Sequence, residues 1–379
     1  MRICSGTALG RAKDFRHIQA HRTCFILANL SQIQAPRRYR PAATGVSRRG
    51  IERIMGKALR ILVTGAGGFV GPSLLAALRS GFPDAVLIGA GRDGTVAGTD
   101  EAMRLDLDET AGYLDALSAA RPDALLHLAA QSNVGASFGD PLGTWHTNLI
   151  GTVALGEAML RVAPGAPFLF VSSGEVYGLS FQSGQALAED APFVPANPYA
   201  ASKAAADLAV GEMAMRGLRA VRLRAFSHTG PGQSEGFVVA AFAQQVARIE
   251  AGLQEPVVRT GALDRWRDFL DVRDVCVAYA GTLAMSLGTA NRLPPGVAIN
   301  ICSGIPRHVG GILDTLLAFA GVSARVEQAA TLLRPTDVER VQGNPARARQ
   351  LLDWMPSVPW DATLRSVLDD WRARVAAGH

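Results

Sequence analysis

The sequence predicts an α/β fold with a doubly wound parallel sheet and a smaller C-terminal domain. Three observations lead to this prediction. Within Leu59–Gly71, a short apolar strand runs through a glycine-rich turn into a helix. Short apolar strands then alternate with helical segments as far as Phe226, as expected for parallel strands joined by crossover helices. From Gly230 this alternation loosens, and most of the remaining segments are short helices.

The first element has the composition of a phosphate-binding turn. An apolar strand over Ile61–Thr64 is followed by Gly65, Gly68 and Gly71, with a helix predicted over Phe69–Leu78. One glycine permits a sharp turn, another lets backbone N–H groups approach phosphates, and a third lets the helix pack closely on the strand. The glycine spacing of three and three differs from the commonest dinucleotide fingerprint. The context favours a nucleotide site, and a tight turn without a ligand is the alternative.

The next two strands bring polar side chains to the same edge of the sheet. A second strand is predicted over Ala85–Gly89, and Arg92 follows its end. An Arg at this position accommodates a ribose phosphate, which favours NADPH over NADH, and a solvated loop Arg is the alternative. A third strand over Met103–Leu107 brings Asp106 to the position where the adenine edge is usually met.

A fourth strand, Ala124–Leu128, is nearly all apolar, and small residues after it would let a cofactor lie against the backbone. His127 lies in this buried strand, so we predict a structural role for it. Helices are predicted over Thr110–Ala120 and over Thr144–Val162, and the second carries Asn148.

The fifth strand, Phe168–Ser172, ends next to Ser173, and a sixth is predicted over Ala220–Phe226. Between them, Asn197 opens a helix that runs to about Arg216. Further helices are predicted over 236–252, 275–287, 311–320, 345–352 and 362–377, with a strand over 298–302.

Three side chains near these strand ends form a set suited to hydride-transfer chemistry. Tyr199 and Lys203 are four residues apart and therefore share one face of their helix. A nearby ammonium group would lower the pKa of the Tyr phenol and make it a usable proton donor or acceptor. Ser173 can hydrogen-bond the same substrate oxygen. With a nicotinamide cofactor, the three side chains would support reduction or oxidation at a carbon that bears oxygen.

Composition limits the other classes of function. Of the 379 residues 48% are hydrophobic, without an apolar run long enough to span a membrane. The four Cys form no Cys-x-x-Cys pair, which indicates neither a zinc site nor a disulfide framework and fits a reducing compartment. Residues 1–55 hold eleven Lys or Arg and two acids, a net charge of +9, so the remainder carries −4 of the overall +5. A nucleic-acid role would therefore rest on residues 1–55 alone. We expect them to be a basic extension, disordered or upstream of a true start at Met55, with an organellar transit peptide as the alternative.

Several stretches carry a resemblance to a known family. They are His127-Leu128-Ala129-Ala130-Gln131-Ser132, His228-Thr229-Gly230-Pro231-Gly232-Gln233, Arg267-Asp268-Phe269-Leu270-Asp271-Val272-Arg273-Asp274-Val275 and Leu333-Arg334-Pro335-Thr336-Asp337-Val338. From about Leu59 to Trp371 the chain resembles the nucleotide-sugar branch of the extended short-chain dehydrogenase/reductases. The run at 228–233 is the feature that most favours the GDP-6-deoxy-D-mannose reductases within that branch.

The resemblance implies a Rossmann domain over 56–226 plus 268–303 and a nucleotide-sugar-binding domain over 227–267 plus 304–377. It implies a cytoplasmic homodimer that binds neither nucleic acid nor membrane. This enzyme would reduce the carbon-four ketone of GDP-4-keto-6-deoxy-D-mannose to GDP-6-deoxy-D-mannose (GDP-D-rhamnose). The coenzyme would be NADPH, slightly favoured, or NADH.

The resemblance also assigns site residues, and it implies no metal. Matching motif positions make Ser173, Tyr199 and Lys203 the catalytic residues. Cofactor contacts fall on Gly65, Gly68, Phe69, Val70, Gly71, Arg92, Asp106, Leu107, Leu128, Ala129, Ala130, Tyr199 and Lys203. Substrate contacts fall on Ser132, Ser173, Ser227, Arg259, Arg267, Arg334 and Asp337. Arg267 and Arg334 would hold the diphosphate and the nucleotide end, because the planar guanidinium group pairs with phosphate oxygens; solvated surface charges are the alternative.

Two departures from the reductase pattern leave alternatives open. The reductases usually read Arg-Pro-Phe-Asn where this chain has Arg224-Ala225-Phe226-Ser227, and Ser227 is a shorter donor than Asn. Glu175, two residues after Ser173, has the spacing of the base in GDP-mannose 4,6-dehydratases. That dehydratase, or another NAD(P)-dependent nucleotide-sugar epimerase or dehydratase, is therefore the alternative activity. A non-catalytic dinucleotide sensor is a further alternative, but it would not need the intact Ser–Tyr–Lys set.

Overall fold

The structure is a computed structural model that describes residues 58–288, 293–333 and 338–378. The basic extension predicted over 1–55, and the predicted substrate contacts Arg334 and Asp337, lie outside the described residues. Within the described ranges, no helix combines the length and the apolar composition that crossing a membrane requires.

The strands are β1 Arg60–Thr64, β2 Val86–Gly91, β3 Glu101–Arg104, β4 Ala124–His127, β5 Phe168–Ser173, β6 Ala220–Ala225, β7 Ser227–Thr229, β8 Val257–Thr260, β9 Trp266–Asp271, β10 Ala298–Ile301, β11 Pro306–His308 and β12 Arg325–Gln328. The α-helices are α1 Gly71–Gly81, α2 Tyr113–Ala120, α3 Val134–Gly139, α4 Pro141–Trp145, α5 Gly151–Val162, α6 Pro198–Met215, α7 Val238–Glu250, α8 Val272–Leu287, α9 Val309–Ala320, α10 Ala346–Leu352 and α11 Trp360–Ala376.

Seven of the strands form one sheet in the order β10-β6-β5-β4-β1-β2-β3, and every pairing in it is parallel. Successive residues of a strand point to opposite faces, so β1 contributes Ile61 and Val63 to one core and Leu62 to another. Helices α1 and α8 cover the first face, and α2, α5 and α6 cover the second. The predicted doubly wound parallel sheet is thereby confirmed.

A third core lies outside this sheet. Helices α7, α9 and α11 pack together through residues such as Phe242, Leu313 and Leu368. Two small sheets accompany them, with strand orders β11-β9-β7 and β12-β8. None of these five strands was predicted. Four of them, β7, β8, β11 and β12, have only three or four residues, which carry little periodic signal without knowledge of the partner strand.

Two predicted elements differ in the structure. The helix expected over Thr144–Val162 is divided into α4, a π-helical turn over His146–Ile150, and α5. The buried Asn148 lies in that turn, and its side chain accepts a hydrogen bond from Gln131 N at 2.8 Å and donates to Gln131 O at 3.0 Å. The third strand ends at Arg104, before the predicted Asp106, although Leu105 and Leu107 are buried.

Candidate active site

The glycine turn between β1 and α1 is closed by its own backbone. Gly68 N donates to Gly65 O and Gly71 N donates to Gly68 O, both at 3.0 Å. Gly65 has a φ of +69°, and a Cβ at this position would lie 2.7 Å from Ala129 N. A Cβ on Gly71 would lie 1.7 Å from Ala66 O. Residues 65 and 71 therefore have to be glycine for the strand and the helix to approach this closely.

The same turn leaves room on its outer side. Gly67 and Gly68 are exposed, and a Cβ added to Gly67 would meet no heavy atom within 4 Å. The first turn of α1, which is fully described, contains no acidic residue to neutralise the partial positive charge of the helix N-terminus. This combination of open space, nearby backbone N–H groups and positive potential suits the pyrophosphate of a dinucleotide.

The other predicted cofactor residues lie in three places. Leu128, Ala129 and Ala130 follow β4 and are half-buried, with the Ala129 backbone against Gly65. Phe69 and Val70 are half-buried at the start of α1, and the Phe69 ring stacks on His228 with centroids 6.1 Å apart. Asp106 is half-buried, Leu107 is buried, and Arg92 is exposed just after β2.

Ser173 and Tyr199 meet at the end of β5. The Ser173 Oγ accepts a hydrogen bond from Glu175 N at 3.1 Å and so caps the 3-10 helix Gly174–Ser183. Tyr199 lies in the first turn of α6, which begins after Asn197, whose side chain accepts from Ala200 N at 2.8 Å. The Ser173 and Tyr199 side chains are hydrogen-bonded to each other.

The environment of Tyr199 keeps its phenol protonated. Burial raises the pKa of Tyr199 to about 12, the hydrogen bond from Ser173 opposes this rise, and the Glu175 charge adds to it. The prediction that Lys203 lowers this pKa is therefore wrong for this arrangement. The reason is geometric, because Lys203 Nζ donates to Val171 O at 2.6 Å and lies 4.4 Å from the centroid of the Phe170 ring.

Lys203 is itself perturbed by its surroundings. Its side chain is buried, and this burial lowers the pKa of Lys203 to about 7, against the opposing charge of Asp207 one helical turn later. An amine with such a pKa changes its charge near neutral pH, whereas an ordinary Lys does not.

A cleft near Ser173 is lined by Arg267 but not by the other described residues that were predicted to contact the substrate. Its lining includes Val134, Phe138, Glu175, Asn197, Arg267 and Val338. Arg267, on β9, donates from Nη1 to Trp266 O at 2.8 Å and to Glu339 O at 3.3 Å. Glu175 and Arg267 therefore line one cleft, and Val338 at its edge directly follows the undescribed residues 334–337.

The remaining predicted substrate residues lie elsewhere. Ser227 begins β7 and is half-buried, and Ser132 is exposed after β4. Arg259 is on β8 with 76% of its side chain exposed, and its Nε lies 3.6 Å from Glu327 Oε2. Arg259 is not among the residues that line the cleft.

His127, on β4, links β1 to α5 through its two ring nitrogens. His127 Nδ1 lies 2.7 Å from Thr64 Oγ1, and Nε2 lies 2.9 Å from Thr152 Oγ1. The Thr152 hydroxyl donates its single proton to Asn148 O at 2.7 Å, so His127 Nε2 must carry the hydrogen that Thr152 accepts. Burial lowers the pKa of His127 to about 3, so the ring is a neutral cross-link.

Asn197, predicted to open the helix that carries Tyr199, is the N-cap of that helix. Two other functional neighbours were missed by the sequence analysis. Asp207 lies four residues after Lys203, a spacing that could have singled it out. Val338 reaches the cleft only through tertiary packing, which no local pattern reports.

Most of the chain is similar to known proteins. The family described as GDP-mannose 4,6 dehydratase matches residues 62–367. The chain is 36% identical over 317 residues to GDP-6-deoxy-D-mannose reductase of Pseudomonas aeruginosa, covering 83% of this chain and 98% of the relative.

Solved structures show the same similarity. The structure of RMD from Pseudomonas aeruginosa complexed with NADPH superimposes with a TM-score of 0.72 at 34% identity, covering 84% of this chain and all of the other (100%). UDP-glucose 4-epimerase of Thermus thermophilus in complex with NAD gives a TM-score of 0.70 at 28% identity, over 83% and 99% of the two chains. The chain therefore belongs to the GDP-mannose 4,6-dehydratase family, within the nucleotide-sugar branch of the extended short-chain dehydrogenase/reductases.

Proposed function

We propose that this protein reduces the carbon-four ketone of GDP-4-keto-6-deoxy-D-mannose to GDP-6-deoxy-D-mannose (GDP-D-rhamnose), with NADPH as coenzyme. The observation that carries the proposal is the hydrogen bond between Tyr199 and Ser173, two residues in the chain from Asn197 and Glu175, which line a cleft together with Arg267. The similarity to a GDP-6-deoxy-D-mannose reductase over nearly the whole of that relative supports the choice of substrate.

The proton donor in a ketone reduction has to carry its proton before the reaction starts. With its pKa raised to about 12, Tyr199 meets this requirement over the whole neutral range. The hydroxyl of Ser173 orients the carbonyl oxygen, and Tyr199 gives its proton to that oxygen as carbon four is reduced. Lys203, on the same helix face, is assigned to coenzyme binding and not to the phenol, because its Nζ donates to Val171 O at 2.6 Å. The bound nicotinamide supplies the hydride.

The coenzyme is assigned to the glycine turn. The pyrophosphate would lie on the open outer side of Gly67 and Gly68, at the N-terminus of α1. The backbone of Ala129 packs against Gly65 in the same turn. Arg92, exposed after β2, would hold the ribose phosphate that distinguishes NADPH from NADH. Comparing initial rates with the two coenzymes tests this role, because Arg92→Ala should reduce kcat/KM for NADPH and leave that for NADH unchanged. Equal losses with both would contradict it.

The sugar nucleotide is assigned to the cleft beside Ser173. Arg267 would pair with diphosphate oxygens, and Arg334, Asp337, Ser132, Ser227 and Arg259 remain the predicted further contacts. We propose that the nucleotide-sugar-binding domain comprises 227–267 and 304–377, and the coenzyme domain 56–226 and 268–303. The proposed place of action is the cytoplasm.

The 4,6-dehydratase remains a second candidate because Glu175 lines the same cleft as Arg267. As a dehydratase, the protein would convert GDP-mannose without net consumption of an external coenzyme. We expect Glu175→Gln to retain at least a third of the reductase kcat. Loss of all activity in Glu175→Gln, together with turnover of GDP-mannose by the wild type, would favour the dehydratase.

We also propose a homodimer formed through α4 and α6. Large apolar side chains are exposed on this surface, with Leu142 on α4 83% exposed and Leu208 on α6 61% exposed. Trp145 on α4 and Ile150 in the π-helical turn extend it. Light scattering coupled to size-exclusion chromatography should give a dimer mass for the wild type and a monomer mass for Leu142→Asp with Leu208→Asp. A wild-type monomer would refute the proposal.

A further inference from the structure

Lys203 occupies an unusual position in this chain. The sequence contains only three lysines, at positions 13, 57 and 203, against 35 arginines. Lys203 is buried, and its Nζ contacts the Val171 carbonyl oxygen and the face of the Phe170 ring. Both contacts favour a charged amine, whereas the removal of water opposes it. The charges of the groups around Lys203 therefore decide which protonation state is favoured.

One turn further along α6, Asp207 is fully buried and held between two arginines of β6. Its Oδ1 accepts from Arg222 Nη1 at 2.9 Å and from Arg224 Nη2 at 3.0 Å. Its Oδ2 accepts from Arg224 Nε at 3.0 Å. This two-point contact with Arg224 fixes the direction of the carboxylate as well as its place.

Arg224 is also anchored from its other side. It is buried, and its Nη1 donates to Tyr177 OH at 2.9 Å and to Glu189 O at 2.7 Å. Tyr177 belongs to the 3-10 helix that follows Ser173. The arginine thus connects the segment after Ser173 to the helix that carries Tyr199 and Lys203, through Asp207.

The charged groups of this cluster belong to several elements. The guanidinium groups of Arg222 and Arg224 share the one carboxylate of Asp207. The buried carboxylate of Glu189, whose backbone oxygen accepts from Arg224, lies 3.4 Å from Arg347 Nε. On the other elements near Lys203, His127 of β4 is neutral above pH of about 3 and Tyr199 is a neutral phenol. Glu175 acts on Tyr199. The carboxylate whose charge favours the ammonium form of Lys203 is that of Asp207.

We propose that Asp207 is a positioning residue for Lys203, and that its carboxylate, shared between Arg222 and Arg224, sets how strongly the buried amine holds its proton. This inference rests on the proposed function only for the role of Lys203 in coenzyme binding. The effect on the amine is a property of the protein alone. The proposed effect on Lys203 is electrostatic. Removing the negative charge of Asp207 and removing a positive charge of Arg222 or Arg224 should therefore shift the Lys203 pKa in opposite directions.

The small number of lysines permits a direct test on the full chain. Uniform [13C]lysine labelling gives three Cε resonances, and Lys203→Arg identifies the one from Lys203. We expect this resonance to titrate near pH 7 in the wild type. Asp207→Asn should lower its midpoint by about one pH unit, because a neighbouring opposite charge is worth about 1–3 units. Arg224→Gln should raise the midpoint, and the double variant should return towards the wild type.

The directions of the midpoint shifts distinguish an effect of charge from an effect of packing. A merely structural cluster would give shifts of the same sign, or none, in Asp207→Asn and Arg224→Gln, and either result overturns the proposal. If Asp207→Asn does not fold, Arg222→Gln replaces it, since this Arg is 19% exposed and its loss should raise the midpoint. An unchanged midpoint in a folded Arg222→Gln overturns the proposal equally.

Coenzyme binding provides a second readout. If the ammonium form binds NADPH, half of the wild-type protein is competent at pH 7 and about one-tenth of Asp207→Asn, so Kd should rise about fivefold there. At pH 6 the same shift predicts about a twofold rise. A Kd raised equally at both pH values would contradict the charge effect. Because no sugar substrate is present, failure of the proposed reductase activity would leave both measurements valid.

Discussion

The turn between β1 and α1 gives a sharp test of how the cofactor site is built. We consider Gly65→Ala, with Gly67→Ala as the matched control two residues away. Gly65 has a φ of +69°, and a Cβ there would lie 2.7 Å from Ala129 N and 2.8 Å from Ala129 Cα. Gly67 has no such constraint, because its Cβ would meet nothing within 4 Å.

The magnitude follows from two costs. A left-handed conformation costs a non-glycine residue about 1–2 kcal/mol. Forcing a methyl group against backbone atoms that belong to the next strand end costs about 1–3 kcal/mol more. Gly65→Ala should therefore lose about 2–5 kcal/mol of unfolding free energy, or about 4–10 °C of Tm at roughly 2 °C per kcal/mol for a chain of this size.

Thermal unfolding and coenzyme titration separate the two positions. Gly65→Ala should lower the Tm with and without NADPH. Gly67→Ala should keep the wild-type Tm within about 1 °C, because surface changes away from contacts have little effect. It should nevertheless weaken NADPH binding at least about tenfold, because its methyl group enters the space assigned to the pyrophosphate. Equal Tm changes in the two variants would refute the steric argument, and unchanged NADPH affinity in Gly67→Ala would refute the location of the site.

Three further predictions concern other parts of the site. Arg267→Ala should raise KM for the sugar nucleotide about 10- to 100-fold with kcat within threefold, as expected for a charge-assisted hydrogen bond of about 1.5–3 kcal/mol; a fall in kcat alone would contradict a binding role. Because the pKa of Lys203 is lowered to about 7, the amine loses its charge as the pH rises through 7, so Kd for NADPH should increase from pH 6 to pH 9; the same increase in Lys203→Met would assign it to another group. His127→Leu should remove one hydrogen bond from each of the Thr64 and Thr152 hydroxyls and lower Tm by about 4–8 °C, measured by calorimetry; an unchanged Tm would show that the cross-link adds no stability.

Much of the sheet and half of the site could be predicted from local sequence. The glycine turn is a local motif, since the constraints at Gly65 and Gly71 arise within a few residues and one neighbouring strand. Tyr199 and Lys203 lie on one helix, so their spacing of four residues is enough to predict that they share a helix face. Ser173 could be added because the carboxyl ends of neighbouring parallel strands lie at one edge of the sheet.

The parts that could not be predicted depend on distant segments. The pKa of Tyr199 rises because the phenol is buried, and Lys203 donates to the Val171 carbonyl of β5. Neither contact can be predicted from the spacing of the two residues along α6. The π-helical turn follows from the contact of Asn148 with Gln131. Arg259 was predicted to contact the substrate, and the structure has its exposed side chain on β8, outside the residues that line the cleft.

The central claim is that Tyr199 delivers the proton in an NADPH-dependent reduction of a GDP-linked 4-keto-sugar. The most direct measurement is the rate of NADPH oxidation on adding GDP-4-keto-6-deoxy-D-mannose, for the wild type and for Tyr199→Phe, with UDP- and dTDP-linked keto-sugars as comparison substrates. The account predicts turnover with the GDP-linked sugar and a loss of at least about 100-fold in kcat for Tyr199→Phe, in the range attributed to general acid catalysis, with the NADPH Kd nearly unchanged. Turnover unaffected by Tyr199→Phe, or no NADPH oxidation with the GDP-linked sugar, would contradict it.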